Sequence, residues 1–313
     1  MKKKTKQFLL SVLAVIGSLV IVDIIVGKIG ELALKKMPDF TMTQVSKDNF
    51  RLNRVKTDIV LIGSSRCTRH YVSSMLRDSI NAYVGGNYSI FNCGVDGRTV
   101  NTNSCAAESI MDRYTPDLLI FDVSEAEFAA GPRMEEMESS ALNYNDNQFV
   151  REYLDDFGTK ERIKISSNLF RFNRRFAHIA QSFINRAENT GYEPIYGTMS
   201  EIPEVGTTPK STSHNIDEYS LKVFTRVLET AKEKGVYLIV VASPRFRPTD
   251  SNLFLADLCR RDDVPFIELY DLEEFNSHPE YFEDKSHLND DGAHIYTELF
   301  FQTLKPFLNI LEN

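Results

Sequence analysis

The sequence predicts a three-layer α/β/α fold on about five parallel strands, preceded by a transmembrane helix and interrupted by a partly helical insertion. Three observations lead there. After residue 57, five short apolar runs alternate with helical patterns. Several runs are apolar at successive positions, as in Val236-Tyr237-Leu238-Ile239-Val240-Val241, the pattern of strands buried on both faces. One long apolar stretch follows Lys2, Lys3, Lys4 and Lys6.

Residues 1–7 read as a basic cytoplasmic tail and 8–27 as a signal anchor with a single acid, Asp23. From Phe8 to Val26 a helix would cover roughly 28 Å, close to a hydrocarbon core. The lysines favour an inside N-terminus, hence a single pass through the cell membrane with the body outside the cytoplasm. A cleaved signal peptide has the same layout, but no small-x-small site follows cleanly. Residues 28–56 read as a juxtamembrane linker, with a short mixed helix over Gly30–Lys36 that Pro38 ends.

The remainder, 57–313, holds the runs Asp58–Ile62, Tyr88–Asn92, Leu118–Val123, Val236–Ala242 and Pro265–Leu269, each bounded by Gly, Pro, Asp or Ser. A helix is predicted over Ile216–Lys234, capped by Asn215, with Gly235 past its end and Val223, Phe224, Val227, Leu228 and Ala231 as its apolar stripe. Another is predicted over Gly292–Phe307. Over 130–214 the alternation stops, which marks an insertion able to cap the sheet edge. It is helical over Gln148–Phe157 and Phe170–Ala187 and loop-like to Ser213. Its Arg171, Arg174, Arg175 and Arg186 read as a solvated helix face, or as a surface for anionic lipid or acidic glycan. Tyr192 and Tyr196 read as packing residues or as platforms for sugar rings.

A formal charge of −8 sets nucleic-acid binding aside, because that needs a concentrated positive face. Cys67, Cys93, Cys105 and Cys259 have no paired spacing. They read as small buried apolar residues rather than zinc ligands, with Cys93 and Cys105 the nearest candidates for a disulfide. No metal or cofactor is expected, and the oligomeric state stays open.

In a parallel sheet, ligands bind beyond the carboxyl ends of the strands. Ser65, Gly94–Gly97 and Ser124–Glu127 all follow strand ends. A serine nucleophile needs a base and a group that orients the base. Asp284 and His287 are three residues apart, and one helical turn would put both on one face. The ring is then expected within about 4 Å of Ser65. The Ser65 amide at a helix start, and that of Gly97, suit a developing oxyanion. Reading Asp284, His287, Asp290 and Asp291 as metal ligands is weaker, since acids before Gly292 suit a helix N-terminus. His70 is expected on a helix surface.

These segments resemble the SGNH (GDSL-like) hydrolase superfamily. Its ordered blocks correspond to Gly63-Ser64-Ser65, Asn92-Cys93-Gly94-Val95-Asp96-Gly97, Asp122-Val123-Ser124-Glu125-Ala126-Glu127 and Asp284-Lys285-Ser286-His287. The resemblance covers roughly 57–128 and 235–307 and implies the family's flavodoxin-like fold. It also implies Ser65 as nucleophile, His287 and Asp284 as the rest of the triad, and Ser65 and Gly97 as oxyanion donors. Ala126 stands where the family has an Asn, so Asn92, Ser124 or Arg66 would have to substitute. Arg66, Tyr192 and Tyr196 are the candidate substrate contacts. The Gly-Ser-Ser block resembles membrane-anchored relatives that handle O-acyl groups on envelope polymers. That implies hydrolysis of O-acetyl or other O-acyl esters of an envelope or extracellular glycan, or of a small ester, through an acyl-serine. An O-acyltransferase of the same fold, or a silent glycan-binding or assembly protein, remains the alternative.

Overall fold

The computed structural model describes residues 2–39, 43–129, 131, 134–173, 175–184, 190–199 and 215–311. Arg174, Arg186 and residues 200–214, which include most of the stretch expected to be loop-like, lie outside the described residues. Leaving aside single turns, the first helices are α1 (Lys2–Lys36), α2 (Gln44–Asn53), α3 (Ser65–His70), α4 (Ser73–Val84) and α5 (Val100–Arg113). There follow α6 (Gln148–Asp155), α7 (Thr159–Ser166), α8 (Asn168–Phe172), α9 (Phe176–Ile184), α10 (Glu218–Lys234), α11 (Leu253–Arg261) and α12 (Asp290–Leu304). The strands are β1 (Ile59–Gly63), β2 (Ile90–Asn92), β3 (Leu118–Asp122), β4 (Tyr237–Ala242) and β5 (Phe266–Glu268). The chain forms two compact units, Phe50–Glu136 with Glu188–Asn313, and Met1–Asn49 with Met137–Ala187.

The larger unit is an α/β fold on a five-stranded, wholly parallel sheet of order β2-β1-β3-β4-β5. Gly63 pairs with Asp122 and Asp122 with Val241, so the carboxyl ends of β1, β3 and β4 lie level. From β1 the chain first builds β2 on one side and then returns to build β3 on the other. The two connections diverge there and open a crevice at the carboxyl end of β1 and β3.

Alternate strand residues serve opposite faces. Ile59, Leu61, Ile120, Ile239 and Val241 pack with Leu76 and Ile80 of α4 and Tyr296 and Phe300 of α12. On the other face Phe121 meets Phe224 of α10 edge-on at 5.3 Å, and Phe128 meets the same ring at 5.1 Å. Because both faces are covered, the runs carry no polar alternation.

The helix predicted from Ile216 begins two residues later. Asp217, not Asn215, is its cap, accepting the Ser220 N–H at 2.9 Å. Both residue types suit a cap, but a cap's side chain must reach an amide three residues on. Gly235 ends α10 at φ +70, donating to the carbonyls of Ala231 and Lys232. The last helix starts at Asp290, where Asn289 accepts the Gly292 N–H at 3.0 Å.

In the other unit, the short helix expected over Gly30–Lys36 is the end of one unbroken α1. The apolar side chains from Phe8 to Ile25 are exposed, and α1 is long and apolar enough to cross a membrane. Its C-terminal part instead packs inside the unit. Leu34 and Met37 join Val45, Leu142, Phe172 and Ile179 in one core. Asp23 accepts from the Ser167 hydroxyl at 2.7 Å, the Leu169 N–H at 2.8 Å and the Asn168 amide at 3.0 Å.

The expected insertion therefore divides. Residues 137–187 belong with the N-terminal segment. Residues 190–199 belong with the sheet, where the Asn92 N–H donates to the Thr190 carbonyl at 2.8 Å and the Met199 N–H to Phe282 at 2.8 Å. The helix expected over Phe170–Ala187 is two, because Asn173 leaves helical geometry at ψ 138. Of the two described members of the basic cluster, Arg171 is buried and Arg175 pairs with Glu138, so neither belongs to a solvated face. Nor is 28–56 only a linker, since Arg51 is buried and donates to Asn103 at 3.0 Å. All four cysteines are buried and unbridged.

Phe224 is fully buried between Phe121 and Phe128. Phe224→Ala should cost about 3–5 kcal/mol, read as a fall in the thermal melting point of the full-length protein by circular dichroism.

Candidate active site

Ser65 opens α3 directly past β1. The turn that places it requires Gly63, where a Cβ would lie 2.6 Å from the Cβ of Cys67 and 2.7 Å from the Asp122 carbonyl oxygen. As the first residue of its helix, Ser65 has an N–H for which the helix supplies no acceptor.

The Ser65 hydroxyl lies 2.7 Å from Nε2 of His287, well inside the expected reach. Nδ1 of the same ring lies 2.8 Å from Oδ2 of Asp284. A carboxylate only accepts, so Nδ1 carries the proton and Nε2 is left to accept from Ser65. Burial by itself would raise the Asp284 carboxyl. Hydrogen bonds from the His287 ring and the amides of Ser286 and His287 outweigh that and hold it below the usual carboxylate range. The spacing is closed differently from the helical turn expected. Oδ1 of Asp284 accepts the backbone N–H of Ser286 at 2.6 Å and of His287 at 3.0 Å, so a side-chain-to-backbone turn sets the geometry.

The pair opens on a cleft of about 290 Å³ lined by Ser64, Ser65, Arg66, Arg98, Ser124, Glu127, Arg245, Tyr270, Ser286 and His287. Besides Ser65 and His287, Arg66 and Ser124 are the candidate site residues from the sequence that line it. Ala126 and Gly97 do not, although Gly97, at φ +70, turns the chain so that Arg98 does. Asn92 is not in the lining either. Its amide donates to the Cys67 carbonyl at 2.7 Å and its oxygen accepts the Gly94 N–H at 2.9 Å, which holds the turn after β2. Tyr192 donates to Asp290 at 2.6 Å, and Tyr196 is 75% exposed; neither lines the cleft.

Arg66 donates to Glu127 at 2.8 Å and lies over the Tyr270 ring at 5.5 Å. Burial would discharge the guanidinium, but Asp122 and Glu127 outweigh it and hold Arg66 charged. Burial pushes the Glu127 carboxyl up to about 7 against the pull of Arg66, and Asp122 adds to the push. Arg98, Arg245, Tyr270 and Glu127 were not singled out as site residues from sequence. Arg245 and Tyr270 follow β4 and β5, where the strand-end rule that located Ser65 applies equally.

His70 is fully buried, not on a helix surface. Its Nε2 accepts the Leu288 N–H at 3.1 Å, one residue past His287. Its Nδ1–H donates to the Ser243 hydroxyl at 3.1 Å, and that hydroxyl donates to Asp122 at 2.8 Å. Burial, with Arg66 and His287 nearby, holds the His70 ring well below the usual histidine range. The unfolded chain therefore takes up a proton as pH falls through about 6.5 while the folded chain does not, so stability falls on acidification. Glu127 acts in the opposite sense between pH 4.5 and about 7. His70→Gln keeps a donor and an acceptor without titrating. The difference in stability between wild type and this variant should shift against wild type below pH 6.5, by up to about 1.4 kcal/mol per pH unit. Thermal melts at pH 7.5, 6.5 and 5.5 measure it.

No protein-family model matches the chain, and no curated protein matches it in sequence. Several solved structures are similar to it, two of which follow. One is a protein from Bacteroides fragilis assigned as an acylhydrolase, at 13% identity over 80% of this chain and 87% of that one, with a TM-score of 0.36. The other is from Desulfitobacterium hafniense, assigned to the lipolytic G-D-S-L family, at 9% identity over 79% and 98%, with a TM-score of 0.37. Likenesses this distant transfer no activity to the chain.

Proposed function

We propose that the chain is a serine esterase of the SGNH type. The hydrogen-bonded run from Ser65 through His287 to Asp284, at the crevice where the strand order reverses, carries this reading. The proposed catalytic domain is 57–313 with 130–214 inserted. Ser65 Oγ attacks the ester carbonyl carbon and its proton passes to His287 Nε2. The carbonyl electron pair moves onto oxygen, beside the Ser65 amide and the Ser124 hydroxyl. Gly97 remains the candidate second amide carried by the resemblance. As the intermediate collapses, the C–O bond breaks and the leaving alcohol takes the proton back from Nε2. Water then repeats the sequence on the acyl-serine, giving the acid and restoring Ser65. Asp284 keeps the ring in the required tautomer and stabilises the imidazolium.

Among the described residues the cleft lining contains no aliphatic side chain, which favours a short acyl group on a polar alcohol over a fatty ester. The apolar α1 fits a single-pass anchor, so an acylated glycan of the cell envelope is the substrate class we favour. An acyltransferase reading shares every step up to the acyl-serine and differs in the alcohol that replaces water.

Full-length protein in detergent micelles should release p-nitrophenol from its acetate ester. Full length is required because Leu34 and Met37 belong to a packed core. Ser65→Ala should lower kcat by roughly 10⁴-fold or more, and Asp284→Asn by roughly 10³–10⁴-fold. Unchanged turnover in the serine variant would remove the assignment.

A further inference from the structure

We infer that the bilayer covers more of this chain than the span of α1. Ile29 and Leu32 of α1, Phe170 of α8 and Phe176 of α9 form an apolar collar seated in the interfacial layer of the membrane, among the headgroups and the first acyl carbons. The inference rests on reading α1 as a membrane span, and it is independent of the esterase reading.

All four residues belong to the smaller unit. Their side chains are between 39% and 56% exposed. Such exposure is not the background of this chain. Among the described residues of the larger unit, Tyr83, Tyr196 and Leu253 are the large apolar side chains exposed to that degree. A cluster of them on one unit marks a surface that meets a partner.

The packing of α8 and α9 on α1 sets the height of the collar. The apolar span ends at Val26. Asp23, just inside that end, accepts from Ser167, Asn168 and Leu169 at the start of α8. Those bonds let an acid sit at the edge of the hydrocarbon. A Cβ at Gly27 would run into Asn168, and one at Gly30 into the Phe172 ring, so the two helices touch at the glycines. Further along, Ile179 of α9 shares a core with Leu34 and Met37. The chain from Asn168 to Ile179 thus climbs along α1, away from the span.

For a helix along the membrane normal, Ile29 and Gly30 stand about 5–6 Å past Val26, and Leu32 about 9 Å. The headgroup layer adds about 5–8 Å on each side of the hydrocarbon. Phe170 lies between Asn168 and Phe172, the residues that meet Gly27 and Gly30, and Phe176 stacks on Phe172 at 5.7 Å. Both rings therefore stand in that layer with Ile29, and Leu32 closes its outer edge. Lys28, exposed beside Ile29, can extend its ammonium to the headgroups. Ile184, 79% exposed, follows Ile179 and stands clear of the layer, level with Leu34 to Met37. A bilayer therefore covers Phe170 and Phe176 but not Ile184, whereas a protein laid along α9 would cover all three.

The chain contains no tryptophan, so a single one reports its own surroundings. The test places full-length protein in vesicles of phosphatidylcholine with about a quarter phosphatidylglycerol. The reporters are Leu13→Trp in the span, Phe170→Trp, Phe176→Trp, Ile184→Trp, and Tyr83→Trp on the larger unit. Each is first matched to wild type by its thermal melt, and Ile29→Trp replaces any collar reporter that fails the match. The readout is the loss of tryptophan emission when the phosphatidylcholine carries bromine near the top of its acyl chains. Leu13→Trp, Phe170→Trp and Phe176→Trp should lose about half of their emission or more, and Ile184→Trp and Tyr83→Trp less than about a fifth. Quenching of Leu13→Trp with both collar reporters no more quenched than Tyr83→Trp would overturn the collar and keep the span. Quenching of the collar reporters without Leu13→Trp would sink the span and keep a lipid-facing collar. Blue-shifted but unquenched emission from Phe170→Trp, Phe176→Trp and Ile184→Trp together would overturn the inference in favour of a second copy or another protein on that face.

Discussion

The arrangement at Ser65 depends on a buried run of hydrogen bonds that begins in the sheet. Asp122, the last residue of β3, accepts both the N–H and the hydroxyl of Ser243, just past β4. Ser243 accepts from His70 at the end of α3, and His70 accepts from the backbone of Leu288. Four segments far apart in sequence are thus joined by groups with no water to fall back on. Each bond contributes only about 1 kcal/mol net, but a buried group left without a partner costs about 1–3. That asymmetry fixes the loop bearing His287 more firmly than a surface loop would be fixed. It also demands a neutral His70 with its proton on Nδ1, which its burial beside Arg66 enforces.

The same sheet edge holds a second stack of interactions. Asp122 lies near Arg66, Arg66 bonds Glu127, and Tyr270 covers the guanidinium. None of these charges would be stable alone at that depth, and together they keep Arg66 protonated. Arg66 directly follows Ser65 on α3. Fixing its side chain therefore fixes the first turn of that helix, and with it both the hydroxyl and the amide of Ser65. The electrostatics of the cleft and the aim of the serine are consequently one problem, solved by the same residues.

The five strands were legible because parallel strands covered on both faces must be apolar throughout. The meeting of Ser65, Asp284 and His287 was legible because a serine, a histidine and an acid at the ends of strands and helices of a parallel sheet are brought to one edge. The reason given for the Asp284–His287 spacing differed from the one found: a turn closed by the carboxylate itself does what a helical turn was expected to do. His70 was misread since a six-residue helix is too short for its periodicity to show which side is buried. The membership of 137–187 was also hidden, because the contacts that decide it run from Asp23 to Ser167, Asn168 and Leu169. One carboxylate inside an otherwise apolar run was the available signal, since such a group seeks partners.

Ser65 and His287 meet although 222 positions separate them. Topology makes that possible, since α12 packs on α3 and α4 on one face of the sheet. Thr297 of α12 accepts the Val72 N–H between those helices at 2.9 Å, and Tyr296 donates to the Tyr71 hydroxyl at 3.0 Å. These contacts form only once the last helix has docked, and closing so long a separation carries an entropic cost that local structure does not repay. The contact between Ser65 and His287 is therefore wholly non-local, and it depends on the docking of the last helix rather than on any local turn.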